Sequence, residues 1–125
     1  MAHRSHLAAV VIDVPEDRVE TTTNFWGAAL GRPLRQLDHD EFWGVRVSTA
    51  MVLLVQRLGE GAPRVHIDIH TDDVPAEVAR LEALGAVVAS SFAQWTVMTD
   101  PSGQPFCVVE APPGTLEGDD VIEWS

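Results

Sequence analysis

Two imidazoles and a carboxylate occupy every second position of the run Arg64-Val65-His66-Ile67-Asp68-Ile69-His70-Thr71. In an extended chain successive side chains point to opposite faces, so His66, Asp68 and His70 share one side and Val65, Ile67 and Ile69 the other. A carboxylate flanked by imidazoles can hold one ring in a fixed tautomer and raise its pKa, which makes a general base near neutral pH. That chemistry suits proton abstraction beside a carbonyl, isomerisation or elimination. The same pattern also fits a polar strand face on which Asp68 pairs with Arg46 or Arg64 and the histidines fill polar space. Cys107 is the single cysteine, and no activating base is legible beside it.

Those residues need a scaffold, and 125 residues supply one domain with a real core but not two independent ones. Hydrophobic content of 46% and charged content of 22% are those of an ordinary globular chain. Eight Lys and Arg against 19 Asp and Glu give a formal charge of −11, which repels nucleic acid and anionic membrane surfaces. A lone cysteine, no apolar run long enough to span a bilayer and no signal-peptide core point to the cytoplasm. His3 and His6 read as frayed terminal residues.

Residues 7–14 form an apolar, β-branched run that ends at Pro15 and predicts a buried strand. Glu16 and Asp17 offer capping chemistry for a helix bearing Val19, Thr22, Phe25, Trp26, Ala29 and Leu30 at spacings of three and four, stopped by Gly31. Strands are predicted over 33–37, 42–47 and 51–58, and residues 59–63 read as a linker. The order then restarts: a strand over 64–71, a helix capped by Asp72 or Asp73 and stopped by Gly85, and strands over 86–92, 94–99 and 104–111. Setting Ala9 against His66 brings Glu16 against Asp73, an internal repeat of about 55 residues with two copies. The expected organisation is module one over about 6–58, module two over about 64–111, and an acidic tail over 112–125. Val121, Ile122 and Trp124 of that tail either dock on a surface groove or a second subunit, or hang free.

Two strand–helix–three-strand modules resemble the vicinal oxygen chelate superfamily of glyoxalase I, extradiol dioxygenases, fosfomycin-resistance enzymes and bleomycin-binding proteins. The residues that sharpen the likeness are Phe25-Trp26 before Ala28-Ala29-Leu30-Gly31, then Arg64-Val65-His66-Ile67-Asp68, then the run from Trp95 through Asp100-Pro101-Ser102-Gly103 to Val109. They look like the glyoxalase-like branch abundant in actinobacteria. The resemblance implies an α+β fold of two βαβββ modules forming an open barrel, commonly assembled as a homodimer. It also implies a divalent metal held by His and Glu from the first and last strands of each module.

In this sequence those positions fall on Ala9, His66, Cys107 and a residue near Leu54 or Gln56. One imidazole, a thiol and a neutral amide do not supply the donors that a hard cation needs. Glu110 lies three residues past Cys107, on the opposite strand face. The expectation is therefore a protein without a metal or other cofactor, binding a small hydrophobic or aromatic metabolite in the barrel cavity. Strand parity puts His66, Asp68, His70, Asp13 and Cys107 on the cavity side, with Gln56, Trp43 and Trp95 as further ligand contacts. The alternative is a lyase, isomerase or dioxygenase-type enzyme that uses His66 with Asp68 and His70 or an atypical metal site. A third possibility is a partner-binding module.

Overall fold

A computed structural model describes residues 2–125. In chain order the elements are β1 (His3–Pro15), a 3-10 turn (Glu16–Arg18), α1 (Val19–Leu30), β2 (Arg35–Gln36), β3 (Phe42–Arg46), β4 (Val52–Leu58) and β5 (Arg64–Thr71). They continue with α2 (Val74–Ala83), β6 (Val87–Ser91), β7 (Trp95–Thr99), β8 (Pro105–Glu110) and β9 (Ile122–Trp124). Strand, helix and three strands therefore occur twice, an α+β fold. Packing divides the chain into a central unit, Ala9–His66, and a terminal unit in which Ile67–Ser125 is joined by the start of the chain up to Ala8.

In the central unit the strand order is β2-β3-β4-β1, with β1 parallel to β4 and β3 antiparallel to both its neighbours. Val14, Val19 and Val55 make the core, and Ile12, Leu34 and Trp43 pack against it. The Glu16 and Asp17 side chains do not cap α1. They fill a 3-10 turn before it, where acidic groups favour the positive end of a helix dipole without a hydrogen bond. Gly31 closes α1 at φ 71°, a left-handed conformation that a side chain resists. Phe25, 60% exposed, and Leu30 stay outside the core, so the predicted apolar stripe is only partly used.

In the terminal unit the order is β5-β8-β7-β6, with β5 parallel to β8. Met98, Phe106 and Val108 form the core against Ile69 and the Val74, Val78 and Leu81 face of α2. The Asp73 carboxylate accepts from the Ala76 amide at 3.0 Å and caps α2. Ile69 alone of the three apolar β5 residues packs into this core; Val65 and Ile67 are 50% and 40% exposed.

One expectation about the termini is overturned. His3 and His6 are not frayed: β1 begins at His3 and both rings are buried, each against a carboxylate. Of the alternatives open for the tail, docking is the one found: Ile122–Trp124 pairs antiparallel with His3–Ser5. Among the described residues no helix is long and apolar enough to cross a membrane.

Candidate functional site

The central unit places a carboxylate inside a sheet. Asp13 interrupts the apolar run Val10-Val11-Ile12-Asp13-Val14, and β1 buries it to 2% exposure. A buried carboxylate needs compensating partners. His66 Nδ1 lies 2.9 Å from Asp13 Oδ2, and Arg64 Nε reaches the same oxygen at 3.4 Å from an exposed position. Asp13 Oδ1 is buried and has no hydrogen-bond partner among the described residues.

Register defines what surrounds this pair. Asp13 is opposite Gln56, and Gln56 is opposite Phe42, so a carboxylate, an amide and an aromatic ring form a row across β1, β4 and β3. The next row on that face is Val11, Leu54 and Gly44; a Cβ at Gly44 would stand 2.8 Å from Leu54 Cδ2, so the missing side chain makes room for Leu54. Trp43 occupies the other face. It is opposite Val55 and packs into the α1 core, whereas Phe42 takes the aromatic position beside Asp13 and Gln56. One residue of register separates these two roles.

In the terminal unit two rows share the face away from α2. Asp68 is opposite Cys107, itself opposite Val97; His70 is opposite Val109, itself opposite Trp95. Trp95 stacks on Phe92 with ring centroids 4.5 Å apart, and both rings are substantially exposed. Burial lowers the His70 pKa below its usual 6.5; Asp68 pulls it up and His6 pushes it down. The edge of the His6 ring meets His70 with centroids 6.3 Å apart.

Strand alternation assigns faces to His66, Asp68, His70, Cys107 and Asp13, whereas the register that sets Gln56 opposite Asp13 comes from cross-strand pairing. The pairing of His66 with Asp13 was outside the reach of alternation, since 53 residues separate the two. A single Asp within a β-branched strand was the available signal, because a buried carboxyl group requires a polar partner. His6 carried no comparable signal near the terminus.

The superfamily's metal-binding pattern is not matched by these donors. Ala9 is buried and has no donor, Leu54 is apolar, Gln56 is a neutral amide, and His66 Nδ1 is directed at Asp13. In the terminal unit Asp68 is opposite Cys107, a carboxylate and a thiol in place of a His and Glu set.

Repeated strand–helix–three-strand order, with polar residues on the sheet faces away from the helices, agrees with the fold that the resemblance to vicinal oxygen chelate proteins implies. The chain belongs to the glyoxalase-like domain family, whose model matches residues 9–109. Among solved structures, methylmalonyl-CoA epimerase from Mycobacterium tuberculosis superposes with a TM-score of 0.58 at 17% identity, over 86% of this chain and 89% of that one. A structure described as NAD-dependent benzaldehyde dehydrogenase from Legionella pneumophila gives 0.58 at 9% identity, over 82% and 99%. A mutant of 4-hydroxymandelate synthase from Streptomyces coelicolor gives 0.55 at 14%, over 89% of this chain and 50% of that one. These likenesses establish the fold. No curated protein matches the sequence.

Proposed function

We propose that this glyoxalase-like domain binds a small hydrophobic or aromatic metabolite, without a metal, on the sheet face that carries Asp13, His66, Gln56 and Phe42. The observation that carries the reading is the buried Asp13 carboxylate held by His66 beside a neutral amide and an aromatic ring. Such a face combines a flat apolar contact with a few polar groups that orient a ligand. The donor chemistry described above supports binding without a cation. In this reading the protein acts in the cytoplasm as a homodimer.

Thermal-shift screening against aromatic and hydrophobic metabolites tests the proposal. A ligand at 100 times its Kd adds about 2.7 kcal/mol to the stability of the folded protein. The expected result is a clear rise in Tm for the wild-type chain that disappears in His66→Ala. A ligand-induced rise of the same size in His66→Ala would remove this face from the binding site.

The Asp13–His66 geometry also favours a second reading, a metal-free lyase or isomerase. Asp13 holds Nδ1, so proton transfer by this ring runs through Nε2, and a substrate proton beside a carbonyl is the natural target. Proton NMR in deuterium oxide would read this directly: exchange of that carbon-bound hydrogen, lost in His66→Ala, separates catalysis from binding alone.

A further inference from the structure

The family match covers residues 9–109, and the segments on either side of it meet in the terminal unit. β9 adds to the start of β1, and its Trp124 donates from Nε1 to Ser5 Oγ at 2.9 Å. The Trp124 ring lies 3.8 Å from the Arg80 guanidinium. Arg80 in turn grips both oxygens of the buried Glu77 at 2.8 Å, and His3 Nε2 lies 2.8 Å from Glu77 Oε1. Cation–π contact and charge-assisted hydrogen bonds thus fasten the end of the chain. Between this latch and β8, Leu116 is buried and its carbonyl accepts from Arg4 at 3.1 Å. Gly118, at φ 115°, turns the chain so that Asp120 Oδ2 reaches His6 Nδ1 at 2.6 Å. His6 is buried behind that carboxylate and meets the His70 ring edge-on.

We infer that residues 112–125 act as a strap, latched by β9 and closed at Asp120, which shields His6 and the His70 end of the Asp68–His70 face from solutes. The latch and the tip differ in strength. Glu77 is fully buried with three polar partners, whereas Asp120 is 36% exposed and holds His6 through one contact. Local opening therefore starts at the tip, with the latch still shut, and costs less than unfolding the unit.

Carbethoxylation by diethyl pyrocarbonate, followed by peptide mass mapping, tests this on full-length protein. His39, exposed in the turn before β3, serves as the internal reference. In the wild-type chain His6 and His70 should react slowly relative to His39. In Asp120→Ala both should react about tenfold faster, the effect of about 1.4 kcal/mol less closing free energy. Trp124→Ala, which frees the latch, should raise both again, with circular dichroism recorded at the same temperature to confirm that each variant is folded. Unchanged rates at His6 and His70 in both variants would overturn the strap. A rise at His6 with none at His70 would overturn the shielding of the polar face.

Discussion

Asp13 and Glu77 show how a buried carboxylate is tolerated: each is held by an imidazole and a guanidinium, but with different geometry. Arg80 holds Glu77 through two 2.8 Å hydrogen bonds, while Arg64 reaches Asp13 at 3.4 Å from solvent, leaving His66 as the main partner. Removing His66 should therefore lower the stability of the fold by about 2 kcal/mol, read by urea denaturation, because it leaves a buried charge poorly paired. Replacing Glu77 by Gln should cost about 3 kcal/mol, since the Arg80 guanidinium loses its counter-charge and the His3 ring its carboxylate partner. Burial alone would raise the Glu77 pKa, but hydrogen bonds from Arg80, His3 and Ser5 outweigh it and hold the carboxyl below its ordinary 4.5. A depressed folded-state pKa stabilises the protein above the unfolded value, and that contribution is lost as the pH falls through the folded value. Midpoints of urea unfolding should accordingly fall as the pH drops below about 4.5, and the fall should be shallower in Glu77→Gln. His70 acts in a higher window. Its lowered pKa favours the neutral ring in the fold, so stability also declines as the pH falls through the unfolded value of 6.5.

At the scale of elements, helix termini and strand register decide which side chains are available. α2 starts on a side-chain cap, so Asp73→Ala should cost about 1 kcal/mol, measurable by thermal unfolding. α1 starts on a 3-10 turn without one, and Ala substitution at Glu16 or Asp17 removes no side-chain cap hydrogen bond from it. Gly44 is a register-specific requirement: Gly44→Ala should destabilise the fold by about 1 kcal/mol by pushing on Leu54. Periodicity located both helices and nearly every strand, since alternation of two and of three to four residues survives in the sequence. It overestimated the strand expected over 33–37, which is reduced to Arg35–Gln36, because two pairings with β3 are all that the register supports. Trp43 was among the aromatics expected as ligand contacts, but its register partner Val55 carries it into the core. Composition says that an aromatic belongs in this strand; only cross-strand pairing says on which side.

For the whole molecule, the donor chemistry predicts that protein purified without chelator carries no stoichiometric divalent ion, a point that elemental analysis by mass spectrometry checks. A full equivalent of zinc would instead direct attention to the mixed donors of β5 and β8. Element order, the duplicated α+β plan and the family were determined by the sequence itself, because local periodicity and turn chemistry are carried by neighbouring residues. The resemblance likewise showed which expected ligand positions hold Ala9 and Cys107. Tertiary structure alone decided that His66 answers to Asp13, that His3 and His6 are buried, and that the last residues form a strand on the first. Each of these joins residues far apart in the chain, and their pairing depends on desolvation and register, which no local pattern records.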